Sequence, residues 1–237
     1  MNPQIVDSPD GVTLVGGGPV QGRMLGMALR RAPVLVAADG GADRVLAAGH
    51  MPVAVIGAFD SLSSAGRSRI PADRQHVIAE QESTDFDKAL RSIAAPFVLA
   101  LGFAGARIDH GLAVFNALLR YPDRVCIVLG AEDVVFLCPP DLTLHLPVGD
   151  RLSLFPMGSV RGTSEGLRWP IDGIAFAPDG PVGTSNEVSA PTVRLQVDAA
   201  RLLVILPRQR LDAVLNALVP QWPPSRGVHA PRPVRGR

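Results

Sequence analysis

Three aspartates, Asp39, Asp60 and Asp85, stand where predicted strands end or predicted helices begin, in the segments VLVAADGG, VAVIGAFDS and STDFDKAL. Because ligands of an open parallel sheet bind beyond the carboxyl ends of its strands, we expect these side chains to meet at one edge. Carboxylate oxygens are hard ligands that suit Mg²⁺. A turn aspartate or a helix-capping acid is the alternative for each residue alone. The three together favour a metal site.

Glycine-rich turns follow the same strands, at residues 16–18, 39–41, 57–61 and 102–107. Glycine lets the backbone approach a ligand closely, and helix N-termini favour phosphate, although tight strand–helix packing is an equal alternative. A dinucleotide fingerprint that began at Gly16 would need glycine where Gln21 stands, and the chain's one lysine, Lys88, lies outside any P-loop. An unrelated α/β oxidoreductase or nucleotide-binding enzyme is therefore disfavoured.

A second polar cluster precedes and enters a predicted helix. Arg107 presents a planar fork that can pair with a phosphate. Asp109 can orient that arginine, accept a hydroxyl proton or cap the helix. His110 is interpreted as a structural or surface histidine. Asn116 follows Asp109 by two helical turns, so the two residues share a helix face.

The surrounding elements predict the fold class. Residues 1–135 alternate short apolar runs with helix-like stretches, which is typical of a parallel sheet covered on both faces by helices. Residues 136–220 alternate in shorter segments interrupted by Gly, Pro, Asp and Ser, which predicts antiparallel strands in a sandwich or barrel. We expect an α/β catalytic domain, a β domain with one more helix, and a disordered tail at residues 221–237.

Composition excludes several classes of protein. The chain has 237 residues, 47% of them hydrophobic, and a formal net charge of +1, which argues against a nucleic-acid partner. No apolar run is long enough to span a bilayer and no signal peptide is recognisable, so no membrane partner is expected. Cys126 and Cys138 lie in or beside apolar runs, which indicates reduced thiols in the cytoplasm.

Six segments in order resemble the thiamine pyrophosphokinase family. Four lie in the N-terminal part: ADGGADRVLAAG (38–49), GAFDS (57–61), STDFDKAL (83–90) and GARIDHGLAVFN (105–116). GLRWPI (166–171) and GTSNEVSAPTVRLQV (183–197) follow in the C-terminal part. Their order and spacing agree with the family over roughly residues 11–206, which makes the resemblance specific.

The resemblance implies a thiamine diphosphokinase, EC 2.7.6.2. Such an enzyme transfers pyrophosphate from ATP to the hydroxyethyl oxygen of thiamine, with Mg²⁺ as cofactor, and leaves AMP. It also implies a β-sandwich as the second domain, with the thiamine-binding role, and a cytoplasmic homodimer. The active site would lie between the α/β domain of one subunit and the β domain of its partner.

The same resemblance implies roles for individual residues. The metal–triphosphate site would contain Asp39, Asp60 and Asp85. The catalytic residues would be Asp60, Asp85, Arg107 and Asp109, the last two facing the phosphates and thiamine. The substrate-binding residues would be Asp39, Gly40, Asn116, Ser185 and Asn186, with Ser185 and Asn186 contributed by the partner subunit. Trp169 would either stack on thiamine or pack in the core of the β domain.

One position departs from the family pattern. The family turn usually begins Gly-Asp, whereas this chain has Gly57-Ala58. The missing carboxylate removes an expected metal or substrate ligand, for which Glu80 and Glu82 are candidate replacements. The alternative to an active enzyme is therefore a catalytically weakened homologue that still binds thiamine or nucleotide.

Overall fold

The computed structural model describes residues 4–105 and 107–223. In chain order the strands of these ranges are β1 (Val6–Asp7), β2 (Val12–Val15), β3 (Val34–Ala38), β4 (Ala54–Gly57), β5 (Gln75–Val77), β6 (Ile93–Ala94), β7 (Val98–Leu101), β8 (Cys126–Leu129), β9 (Asp133–Leu137), β10 (Asp141–His145), β11 (Arg151–Pro156), β12 (Gly162–Glu165), β13 (Gly183–Glu187), β14 (Thr192–Val197) and β15 (Leu202–Pro207). The α-helices are α1 (Gly22–Leu29), α2 (Gly41–Ala47), α3 (Ser64–Arg69), α4 (Asp85–Arg91), α5 (Ile108–Arg120) and α6 (Leu211–Leu218). Short 3₁₀ turns occupy Ala72–Arg74 and Arg208–Arg210.

A parallel sheet forms the N-terminal part. Its strands lie in the order β8-β7-β2-β3-β4-β5, and neighbouring strands run parallel throughout. Strands β2, β4, β7 and β8 are buried at every residue. Because such strands are covered on both faces, they consist of continuous apolar runs, which is the pattern that predicted them.

Antiparallel strands form the C-terminal part. Strands β9, β15, β11 and β13 continue the parallel sheet beyond β8, and β10-β14-β12 forms a separate three-stranded sheet. In β14 buried and exposed side chains alternate, and its buried Val193 and Leu195 share one core with Leu152 and Leu154 of β11. The two sheets thus enclose an apolar layer, and the predicted order of an α/β part followed by a β-sandwich part is confirmed.

One sheet runs through both parts. Strand β9 pairs antiparallel with β8 on one side and with β15 on the other, which makes a ten-stranded sheet. The predicted domain boundary at residues 135 and 136 falls within this strand. Hydrogen bonding between strands therefore continues across the point where the sequence changes character.

The turns at the carboxyl edge of the parallel strands lie very close together. A Cβ atom on Gly41 would stand 2.0 Å from the carbonyl oxygen of Val15, and one on Gly18 would stand 2.5 Å from that of Gly102. Both distances are shorter than any side chain tolerates. Only glycine therefore allows the turns after β2, β3 and β7 to meet at this edge.

The structure describes only the first part of the predicted tail at residues 221–237. Residues 224–237 of the predicted tail lie outside the described residues. Trp222, also assigned to that tail, packs edge-to-face on Phe97 with ring centroids 5.4 Å apart.

Within the described part of the chain, none of the helices combines the length and apolar character required to cross a membrane.

The two cysteines are expected to be unreactive in the folded protein. Cys126 and Cys138 are 4% and 0% exposed, and burial raises the pKa of each thiol to about 12. Because the thiolate is the reactive species, a disulfide reagent at pH 8 should label neither cysteine until the chain is unfolded in urea. Labelling of the native protein at the rate of free cysteine would contradict this expectation.

Candidate active site

Asp39 joins two of the turns at this edge. It follows β3 in a left-handed backbone conformation, with φ of 43°, and is only 3% exposed. Its Oδ1 accepts a hydrogen bond from the Leu62 N–H at 2.9 Å, and its Oδ2 accepts one from the Ser61 N–H at 3.2 Å. The carboxylate is thus fixed by the turn that follows β4.

Asp85 begins helix α4. The Thr84 hydroxyl caps this helix by accepting a hydrogen bond from the Asp87 N–H at 3.3 Å, which sets where the helix starts. Asp85 Oδ1 accepts a hydrogen bond from the Ala58 N–H at 3.0 Å, and the nearly buried Lys88 ammonium lies 3.7 Å from the same oxygen. The helix start therefore directs this carboxylate toward the turn after β4.

The carboxyl groups of Asp39 and Asp85 approach each other across Gly57. A Cβ atom on Gly57 would lie 3.0 Å from both the Asp39 Cβ and the Asp85 Oδ1. Partial burial raises the pKa of Asp85, and the nearby charge of Asp39 raises it further, against the opposing effects of the Ala58 N–H and Lys88. Two carboxyl groups placed together in this way form a site suited to a cation.

Asp60 is placed differently from the other two aspartates. It is exposed on the turn between β4 and α3 and is not among the described residues that line the cleft beside Asp39 and Asp85. In residues 4–105 and 107–223, no group of three His, Cys, Asp or Glu side chains is arranged to hold a metal ion. Mg²⁺ commonly takes one or two carboxylates and completes its shell with phosphate and water. The Asp39–Asp85 pair fits that mode of binding, and the role of Asp60 as a ligand stays a prediction.

Asp39 and Asp85 both line a cleft of about 250 Å³. Several glycines and several apolar side chains line the same cleft. The residues that line it include Gly17, Gly18, Gly40, Ser61, Thr84, Phe86, Gly102, Phe103, Arg107, His110 and Val114. Acidic groups, glycine backbone and apolar groups from six separate turns and helices therefore line one space.

Arg107 and Asp109 form an exposed ion pair at the start of α5. Arg107 Nη2 donates to Asp109 Oδ2 at 2.6 Å, and Nε donates to Oδ1 at 3.1 Å. These hydrogen bonds lower the pKa of Asp109 to about 2. Arg107 lines the cleft, so Asp109 orients a cation toward it.

His110 and Asn116 differ in where they lie relative to the cleft. His110, interpreted from the sequence as structural or surface, is exposed and also lines the cleft. Its place immediately after Asp109 in the same turn was the available signal. Asn116 is exposed further along α5 and is not among the described lining residues.

Ser185 and Asn186 lie on β13, in the antiparallel part. Ser185 is exposed with φ of 60°, whereas Asn186 is buried and binds the Trp169 backbone through its side-chain amide. The Trp169 ring is 53% exposed and lies 4.8 Å from the Arg168 guanidinium, so it is not a core residue. Neither Ser185 nor Asn186 is among the described residues that line the cleft of the same chain.

A salt bridge fixes the segment that leads into Asp85. Arg91 of α4 donates to Glu80 at 2.7 Å and to the Ser83 hydroxyl at 3.1 Å. The Ser83 hydroxyl and Arg91 lower the pKa of Glu80 to about 2, from an ordinary value of 4.5. The segment therefore depends on an ionised Glu80.

We expect Glu80→Gln to reduce the loss of stability in acid. A depressed pKa in the folded state contributes stability above pH 4.5, and this contribution disappears as the pH falls toward 2. Urea denaturation of both proteins between pH 7 and pH 2 should show a smaller acid-dependent change for the variant. Parallel pH profiles for the two proteins would refute this role of Glu80.

Comparison with known proteins identifies the family. Residues 25–129 match the family profile described as thiamin pyrophosphokinase, catalytic domain. Residues 141–202 match the profile described as thiamin pyrophosphokinase, vitamin B1 binding domain. The chain belongs to the thiamine pyrophosphokinase family. The resemblance noted from the sequence is thereby confirmed, and with it membership in a family of kinase-type transferases.

Individual thiamine pyrophosphokinases are similar over most of the chain. Thiamine pyrophosphokinase 1 of Oryza sativa subsp. japonica is 28% identical over 203 residues, which cover 71% of this chain and 77% of that protein. The yeast thiamin pyrophosphokinase structure has a TM-score of 0.71 at 16% identity and covers 84% of this chain and 87% of its own. A Lactobacillus plantarum protein has a TM-score of 0.70 at 25% identity, with 84% and 99% covered. These structural similarities confirm the fold.

Ala58, the position at which the sequence was expected to depart from the family pattern, borders the aspartate pair. Its N–H donates to Asp85 Oδ1, and the residue is half-buried in the turn after β4. The backbone of Ala58 thus still donates a hydrogen bond to Asp85, whereas the Ala58 side chain adds no negative charge to the pair. Arg91 holds Glu80 and thus engages one of the two acids considered as replacements.

Proposed function

We propose that this protein is an Mg²⁺-dependent thiamine diphosphokinase, which transfers pyrophosphate from ATP to the hydroxyethyl oxygen of thiamine and releases AMP. The convergence of Asp39 and Asp85 beside Gly57, at the carboxyl edge of the parallel sheet, carries this proposal. Membership in the thiamine pyrophosphokinase family supports the identity of the two substrates. A carboxylate pair below glycine-rich backbone suits a metal-bound polyphosphate.

Positioning and charge neutralisation carry most of such a reaction. Asp39 and Asp85 would hold Mg²⁺, with Asp60 as a further ligand, and Gly40 would let the phosphates approach the backbone. Bound Mg²⁺ would offset the negative charge of the phosphate oxygens. Arg107 would turn from Asp109 to a phosphate.

Release of Asp109 from Arg107 would leave its carboxylate free to accept the thiamine hydroxyl proton. While the ion pair persists, a pKa near 2 makes Asp109 a weak base. Movement of Arg107 to the phosphates would remove the hydrogen bonds that lower this pKa. Arrival of ATP would therefore prepare the proton acceptor.

We also propose that the enzyme is a cytoplasmic homodimer. Ser185, Asn186 and the half-exposed Trp169 belong to the β-sandwich part, away from the described lining of their own cleft. A partner subunit would bring these residues to thiamine, where Asn116 on the exposed face of α5 would meet them. The α/β part up to residue 135 would then bind ATP, and the part from 136 to 220 would bind thiamine. Two free, buried thiols suit a reducing compartment.

A direct assay tests the proposal. Purified full-length protein is incubated with thiamine, ATP and Mg²⁺, and the products are separated by chromatography. Equal amounts of thiamine diphosphate and AMP are expected, and omission of Mg²⁺ with a chelator present should abolish both. ADP in place of AMP, or binding of thiamine without any product, would refute the proposed activity.

The catalytically weakened homologue is the second candidate, and Ala58 is the observation that favours it. Ala58→Asp would place a third carboxylate beside the Asp39–Asp85 pair. A large gain in turnover over wild type would support the weakened homologue. An unchanged rate would show that the pair suffices without a carboxylate at this position.

A further inference from the structure

The turn after β4, residues 58–62, holds both members of the aspartate pair through its backbone. The Ala58 N–H donates to Asp85 Oδ1 at 3.0 Å. The Ser61 and Leu62 N–H groups donate to the Asp39 carboxylate at 3.2 and 2.9 Å. Because backbone donors cannot move without the chain that carries them, the separation of the two carboxylates depends on the conformation of this one turn.

Phe59, within this turn, has a strained backbone. Its φ of 67° lies in the left-handed region, which a bulky aromatic residue rarely adopts. Such a conformation costs free energy and persists only where the surrounding structure holds it. Strain of this kind is concentrated at functional sites, and in this turn it lies between the donor to Asp85 and the donors to Asp39.

The Phe59 side chain is anchored on the protein core. The half-buried residue packs against a cluster of buried apolar side chains that includes Leu62 and Ile70. The Arg67 guanidinium of α3 lies over the Phe59 ring, 5.3 Å from its centroid, and its Nε donates to Gln75 of β5 at 3.2 Å. A cation over an aromatic face is attracted by the ring. The side chain thus contacts the apolar core and a cation that a neighbouring strand keeps in position.

We propose that Phe59 is a positioning residue for pyrophosphate transfer. Its anchored ring holds the left-handed turn, and the turn keeps Asp39 and Asp85 at the separation that a metal-bound polyphosphate requires. Phe59 is not among the described residues that line the cleft, so it acts through the backbone of its neighbours rather than on a substrate. This inference rests on the proposed function, in which the aspartate pair holds Mg²⁺ and the phosphates.

The test measures how well the site binds a polyphosphate when the anchor is removed. The dissociation constant of inorganic tripolyphosphate is determined by calorimetry on the full-length protein in fixed Mg²⁺, together with the turnover of thiamine. Phe59→Ala should weaken tripolyphosphate binding at least about tenfold and lower turnover by a similar factor, because the turn is released. Phe59→Gly, which adopts a left-handed backbone without strain, should stay folded and show the same weakening. Phe59→Leu keeps an apolar anchor and should bind within about threefold of wild type.

A control variant separates positioning from general stability. Phe155→Ala removes the ring of another half-buried phenylalanine, on β11 in the antiparallel part and outside the described lining of the cleft. It should lower the Tm and leave tripolyphosphate binding within about twofold of wild type. Wild-type affinity in Phe59→Ala or Phe59→Gly would overturn the inference, as would a Phe59→Leu or Phe155→Ala protein that binds as weakly as Phe59→Gly. A wild-type protein that does not bind tripolyphosphate would refute the proposed function itself, and the inference with it.

Discussion

Asp85→Asn is expected to lower the turnover of thiamine about a thousandfold while the protein stays folded. The asparagine side chain keeps the shape of aspartate, and its oxygen can still accept the Ala58 N–H. What it loses is the negative charge that faces Asp39 across Gly57. If the pair holds Mg²⁺ and the phosphates, this one charge decides whether the metal is retained in a productive position.

The experiment compares initial rates at saturating ATP and Mg²⁺ and records circular dichroism of each variant. Asp73→Asn is the matched control, because Asp73 is exposed on the Ala72–Arg74 turn and is not among the described residues that line the cleft, and the chemical change is identical. We expect wild-type turnover for this control. A folded Asp85→Asn protein with more than about a tenth of wild-type turnover would refute the assignment of Asp85.

Asp87→Ala is expected to act on stability, although Asp87 lies only two residues from Asp85. Asp87 is 3% exposed, and its carboxylate accepts hydrogen bonds from Arg91, Arg120 and the Tyr121 hydroxyl at 3.2, 2.5 and 2.9 Å. It thereby joins α4 to the end of α5. Removal of a buried ionic partner commonly lowers the free energy of unfolding by about 3–5 kcal/mol. Because Arg120 is half exposed and can turn to water, we expect the lower value, about 3 kcal/mol.

Urea denaturation and thermal melting measure this effect. For a chain of this length, the expected loss corresponds to a fall in Tm of about 6–12 °C. Asp123→Ala removes an exposed carboxylate just beyond Tyr121 and should change stability by less than about 0.5 kcal/mol. Equal stability of the two variants would show that the carboxylate of Asp87 does not hold α4 and α5 together. Two aspartates of one helix are thus expected to have different effects: loss of Asp85 lowers turnover, and loss of Asp87 lowers stability.

Local sequence patterns were sufficient to predict that a parallel α/β part precedes an antiparallel β part along the chain. Runs such as VCIVLG are buried on both faces and therefore read as parallel strands, whereas TVRLQV alternates and reads as a half-buried antiparallel strand. The motif around Asp39 and the motif around Asp85 each gave the right position in the fold, at the end of β3 and the start of α4. The continuous sheet across β9 was not predictable, because strand pairing between distant segments leaves no local pattern.

The predicted site residues likewise divide into those that the structure brings together and those that it does not. Asp39 and Asp85 were expected to approach each other, and they do so across Gly57. Asp60 was expected to join them, but its side chain is exposed on the turn, and its role as a ligand stays a prediction. His110 was assigned no role, yet it lines the cleft. The direction of each side chain depends on the turn that carries it, for which residue type alone is a poor guide.

Residue types and their periods thus established the kinds of element and the edge of the sheet where chemistry is expected, and the resemblance of six segments indicated the family. The tertiary structure decided which of those residues meet, and that Asp87 is buried while Asp85 lines the cleft. The physical reason is that sequence patterns are local, whereas the contacts that build the site join distant segments. Periodicity reports how a segment divides between core and solvent, whereas an approach between residues 39 and 85 depends on β3 lying beside β4 and on α4 packing against both.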